Sequence, residues 1–142
     1  SSTDHLITNS DKFDVSLNYT NLLGSQELIR DELNAGKYIL IDFWGLWCGQ
    51  CLKDVPEMKE LDSAYSNKLE IISLNSRDRS SDIINYVTKK NIPWKQGIWS
   101  YDLQQYFGQN GYPYYILITP ENKVNITQGI RLTEVREILQ KE

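Results

Sequence analysis

The stretch that most constrains this chain runs Ile39-Leu40-Ile41-Asp42-Phe43-Trp44-Gly45-Leu46-Trp47-Cys48-Gly49-Gln50-Cys51. Lys37 to Phe43 is nearly continuously apolar, the pattern of a central strand covered on both faces. It runs into a turn where the chain's only two cysteines flank Gly49-Gln50, at the start of an amphipathic segment. A C-x-x-C bond closes so short a loop that it restricts the unfolded chain little. Reactivity explains such a pair better than architecture does.

Thiolates, not thiols, attack disulfides. A cysteine at a helix N-terminus meets free N–H groups and a dipole that favour the thiolate. Cys48 holds that end, and Cys51 follows one turn later, within reach of Cys48 and screened from solvent. Position therefore makes Cys48 the attacking nucleophile and Cys51 the resolving thiol. The competing reading is a zinc ligand pair. Zinc takes four ligands, whereas there is no third cysteine and the only histidine, His5, lies in the polar lead-in. The expectation is a redox pair with no metal and no cofactor.

Asp42 interrupts the apolar run six residues before Cys48. A carboxylate unpaired in an apolar layer has a raised pKa, which suits accepting a proton from Cys51. A purely structural aspartate, hydrogen-bonded at the strand end, is the other reading. Trp44, Trp94 and Trp99 read as core or edge aromatics. Trp47, beside Cys48 in an exposed turn, is a shelf on which a partner polypeptide can rest.

Around this stretch the periodicity predicts a βαβ unit from Lys37 to Asn75. Its helix, Gln50 to Tyr65, is interrupted by Pro56, and its second strand is Leu69 to Leu74. Before it come a lead-in over residues 1–12, an edge strand Phe13–Leu17, and a helix Gln26–Ala35 with Ser25 as N-cap and Gly36 as stop. After it come a helix Ile83–Lys90 and a short helix Trp99–Phe107. A strand Tyr114–Thr119, a connection Pro120–Lys123, an antiparallel strand Val124–Thr127 and a helix Thr133–Gln140 complete the order. The fold class is α/β: a central mixed sheet with helices on both faces.

At 142 residues, without a repeat or linker, the chain is expected to be one domain spanning residues 1–142. Its 40% apolar and 24% charged residues are a globular balance. The formal charge of −4, with no cluster of Lys and Arg, argues against nucleic acid as a partner. No apolar run reaches the roughly 20 residues of a membrane span. The start at Ser1, in a polar run, leads to the expectation that the natural N-terminus has been removed, and a C-terminal domain of a longer, membrane-anchored or exported protein is compatible with this sequence.

These residues resemble the thioredoxin superfamily. Ile39 to Trp44, Trp47-Cys48-Gly49-Gln50-Cys51 and Pro56 are similar to its strand, active site and helix. Phe107-Gly108, Gly111-Tyr112-Pro113 and Gly129 are similar to its later signature. An insertion from about Ser76 to Leu103, between the βαβ and ββα halves, and the segment Asn91-Ile92-Pro93-Trp94 resemble the TlpA/ResA-type thiol–disulfide oxidoreductases. The resemblance implies Cys48 as nucleophile, Cys51 as resolving thiol and Asp42 as buried proton acceptor. It also implies a cis-proline at Pro113, touching substrate backbone together with Trp47, Gly49, Gln50 and Tyr112. It implies a monomer acting, as a reductase, on protein disulfides and served by a redox partner protein, in the periplasm or cell envelope of a bacterium. A non-enzymatic interaction module and a thiol peroxidase are the alternatives. Three positions depart from the family pattern: Gln50 stands for a proline, Tyr112 for a smaller residue and Ser73 for a lysine.

Overall fold

In the computed structural model, which describes residues 6–8, 17–120 and 125–141, the strand Tyr38–Trp44 lies at the centre of an eight-stranded mixed sheet. The strands, in chain order, are β1 (Leu6–Thr8), β2 (Asn18–Asn21), β3 (Gln26–Leu28), β4 (Tyr38–Trp44), β5 (Leu69–Asn75), β6 (Lys95–Ile98), β7 (Tyr114–Ile118) and β8 (Asn125–Gln128). The helices are α1 (Arg30–Asn34), α2 (Gly49–Ala64), α3 (Ser80–Lys89), α4 (Tyr101–Phe107) and α5 (Leu132–Lys141). Across the sheet the order is β1-β8-β7-β4-β5-β6-β2-β3. β4 runs parallel to β5 and antiparallel to β7, so Asp42 sits in register with Ser73 on one side and Tyr115 on the other.

Every residue of β4 is buried, as its apolar run requires. Alternation along the strand divides its side chains between two layers. Leu40 joins Ile71 and Leu117 under Met58 and Leu61 of α2 and Val135 and Leu139 of α5. Ile39, Ile41 and Phe43 join Ile72, Ile116 and Ile118 under Leu103 and Phe107 of α4, with Ile29 beside them. The expected mixed sheet with helices on both faces is present, and α2 continues unbroken through Pro56.

The edges differ from the sequence reading. The helix expected over Gln26–Ala35 is only α1, because Gln26–Leu28 pairs with β2 instead. Asn21 closes that hairpin: its side chain accepts from Leu23 N and Ser25 N, each at 3.0 Å. Gly24, at φ 89°, supplies the left-handed position. Ser25 therefore belongs to a turn, not to a helix cap. Gly36, at φ 78°, does stop α1 as expected. In the lead-in, Leu6–Thr8 forms a strand on β8. Of the proposed edge strand, Phe13 to Ser16 lie outside the described residues, as do Glu121 to Val124 of the later connection.

β6 has no counterpart in the sequence reading, since Lys-Gln-Gly-Ile shows no alternation. Its neighbours make it a strand: it runs parallel to β5 and antiparallel to β2. Gly97 is the tight point, where an added Cβ would run into the Tyr19 ring and meet the Thr20 carbonyl at 3.0 Å. Gly97→Val is therefore expected to destabilise the fold by about 2 kcal/mol, an ordinary cost of overpacking. Urea unfolding gives the loss, and faster amide exchange confined to β2, β3 and β6 locates it.

Candidate functional site

The site is assembled where β4 ends. Gly45 to Trp47 form a turn, Cys48 N–H donates to the Gly45 carbonyl at 3.0 Å, and α2 begins at Gly49. Cys48 is the N-cap, with an extended backbone, and its sulfur accepts from the Cys51 backbone N–H at 3.2 Å. Cys48 and Cys51 are joined by a disulfide, with Cα atoms 5.3 Å apart. Both are largely buried, among Trp44 and Ile83, with Leu22, Leu46, Leu52 and Tyr112 around them.

Trp47 is 45% exposed, a large apolar surface next to the disulfide. Its orientation is set by three contacts. The indole N–H donates to the Ser76 carbonyl at 3.0 Å, the Tyr112 ring meets it edge-on at 4.7 Å, and the Arg77 guanidinium lies 4.8 Å from its centre. The Tyr112–Pro113 peptide bond is cis, as the resemblance implies. Pro113 lines a cavity of about 440 Å³ together with Asp54, Tyr115 and Ile130.

The other residues singled out from sequence stand apart from this contact. Gly49 and Gln50 are exposed on the first turn of α2, and an added Cβ at Gly49 meets nothing. Gln50 turns back along the helix to donate to Asp54 Oδ1 at 2.8 Å. Asp42 is buried in β4 and accepts from the Ser73 hydroxyl at 2.8 Å. Burial pushes its carboxyl from 3.8 up to about 7; the Ser73 hydrogen bond pulls downward, and the Asp54 charge pushes further up.

Sequence reasoning missed three supports. Asp54, one turn beyond Cys51, accepts from both Gln50 and the Tyr115 hydroxyl, the latter at 2.6 Å. Trp94, read as a core aromatic, donates to Ser73 Oγ at 2.9 Å. The loop after β5 braces the turn before the cysteines: Asp78 accepts from Leu46 N–H at 2.7 Å and from Asn75 Nδ2 at 2.9 Å. The signal for that loop was a run of polar residues, Asn75 to Asp78, directly after a buried strand. What they would hold was not written in it.

The thioredoxin-like family model matches residues 36–124. The thiol-disulfide oxidoreductase ResA of Bacillus thuringiensis (strain Al Hakam) is 32% identical over 80 residues, which are 56% of this chain and 45% of ResA. The thioredoxin-like protein YneN of Bacillus subtilis is 33% identical over 54 residues, 38% of this chain and 31% of that protein. The chain thus spans less than half the length of these curated relatives. Among solved structures, the thioredoxin domain of a thiol-disulfide oxidoreductase from Bacteroides vulgatus superposes with a TM-score of 0.72 at 22% identity, covering 94% of this chain and 98% of that one. A thiol:disulfide interchange protein from Bacteroides sp. gives 0.71 at 24% identity, covering 90% and 87%. At such identities the structural likeness is one of fold.

Proposed function

Since the chain belongs to the thioredoxin-like family, we propose that it is a thiol–disulfide oxidoreductase that passes electrons from a Cys48–Cys51 dithiol to disulfides in other proteins. The observation that carries this reading is the bonded cysteine pair at the N-terminus of α2, beside an exposed tryptophan. Cys48 is the nucleophile. Its thiolate attacks one sulfur of the partner's disulfide, the partner's S–S bond breaks, and the first partner thiolate leaves and takes up a proton. Cys51 then gives its proton to Asp42, and its thiolate attacks the Cys48 sulfur. The mixed disulfide breaks, and the second partner thiolate departs and is protonated. Two electrons have moved to the partner, whose two thiolates take one proton from solvent and one that Asp42 gives back, and Cys48–Cys51 is left oxidised.

In this reading Trp47 and Tyr112 receive the partner's polypeptide, Pro113 meets its backbone, and Gly49 and Gln50 form the open side of the approach. A redox partner protein returns the pair to the dithiol. The single domain acts as a monomer, outside the cytoplasm of a bacterium, in the periplasm or cell envelope. No helix among the described residues is long and apolar enough to cross a membrane, and a membrane anchor outside this chain is compatible with this reading.

Insulin reduction tests the activity. With dithiothreitol as electron source, the protein is expected to shorten the lag before reduced insulin precipitates. A lag equal to that with dithiothreitol alone would overturn the reading.

A further inference from the structure

The partner of Asp42 is itself held from behind. Ser73 stands opposite Asp42 in the β4–β5 register and donates to Asp42 Oδ2 at 2.8 Å. The same hydroxyl accepts from the Trp94 indole N–H at 2.9 Å. All three residues are buried, at 5%, 2% and 7% exposure in the order Asp42, Ser73, Trp94. An indole N–H can only donate, and a serine hydroxyl carries a single proton. Trp94 occupies a lone pair of Ser73 and leaves that proton free to face Asp42. A donor aimed at a carboxylate favours the ionised form over the neutral one.

Among the described residues, the titratable groups beside Asp42 supply no such help. Asp54 of α2 is a second carboxylate, and its charge opposes ionisation of Asp42. Tyr115 of β7, in register with Asp42, has its hydroxyl committed to Asp54. The Ser73 proton is thus what opposes burial and the Asp54 charge.

We propose that Trp94 and Ser73 are a positioning pair, one donating to the other, that holds a proton donor on Asp42 and thereby sets the pH at which Asp42 gives up and takes back its proton. This rests on the reading of Asp42 as proton acceptor for Cys51. It gives the segment Ile92-Pro93-Trp94, which lies far from the cysteines in sequence, a part in the site.

The test follows the Asp42 carboxyl by carbon NMR across a pH titration of the full chain, in wild type, Ser73→Ala, Trp94→Phe and the double variant. Losing a hydrogen bond to a charged group is expected to raise the Asp42 midpoint by about one pH unit in Ser73→Ala. Trp94→Phe is expected to raise it by less, and to have no further effect once Ser73 is alanine, because Trp94 acts through Ser73. An unmoved midpoint in Ser73→Ala overturns the proposal. So does a Trp94→Phe shift of the same size in both backgrounds, which would assign the effect to packing. The midpoint is read without turnover. If it moves as expected while the pH profile of insulin reduction stays in place, the pair stands and the role of Asp42 as acceptor falls.

Discussion

Cys51→Ser is expected to accumulate a covalent mixed disulfide with a disulfide-bearing polypeptide, and Cys48→Ser is expected to accumulate none. The asymmetry comes from where each sulfur sits. Cys48 caps α2, adjoins exposed Trp47, and receives the Cys51 backbone N–H at 3.2 Å. In the dithiol that N–H and the helix dipole favour the Cys48 thiolate, the form that attacks. Cys51 lies inside the first turn, behind the exposed residues Gly49 and Gln50. Without Cys51 the first attack still occurs and nothing resolves it; without Cys48 there is no first attack. Insulin reduction falls to the dithiothreitol background in both variants. Non-reducing electrophoresis followed by mass spectrometry separates the cases. Adducts on Cys48→Ser rather than Cys51→Ser would reverse the assignment.

Asp42→Asn is expected to stabilise the fold increasingly as pH rises from 4 to 8, while slowing exchange. Burial raises the folded-state pKa of Asp42 from 3.8 to about 7. Below the lower value the carboxyl is protonated in both folded and unfolded chains, and no penalty exists. Between the two values the unfolded chain ionises freely while the folded one keeps its proton, so wild-type stability falls with rising pH. Above the upper value the loss is complete, on the order of 4 kcal/mol at 1.4 kcal/mol per pH unit. An asparagine does not titrate, so the advantage of the variant should open across that window, reduced by the cost of burying its amide. Urea unfolding at pH 4, 6 and 8 measures this. An advantage that does not change with pH would show that Asp42 ionises freely in the fold. On the proposed role of Asp42 as acceptor of the Cys51 proton, insulin reduction by the same variant at pH 7 is expected to fall on the order of 100-fold.

The inner sheet was legible because β4 and β5 bury both faces, so composition alone marked them as central strands. The outer sheet was not. Gln26–Leu28 carries residues that suit a helix equally well, and Lys95–Ile98 carries no strand pattern; partners across the ladder decided both. The cysteines, Trp47 and Tyr112-Pro113 were legible as types and spacings, and the structure brings Tyr112 against Trp47 and against the cluster that holds the cysteine pair. Gln50, expected to touch the partner, is exposed, and its side chain donates to Asp54, a bond the spacing did not reveal.

What the sequence alone determined is the chemistry at the end of β4: two thiols spaced to bond to each other, placed where a strand hands over to a helix. Local spacing suffices for that, because both sulfurs belong to one turn. What only the tertiary structure decided is the setting of Asp42. Its pKa depends on burial, on the hydrogen bond from Ser73 of the next strand and on the charge of Asp54, and Trp94 donates in turn to Ser73. Desolvation and hydrogen bonding act through space over a few ångströms, and folding brings these groups together from positions 42, 54, 73 and 94 of the chain.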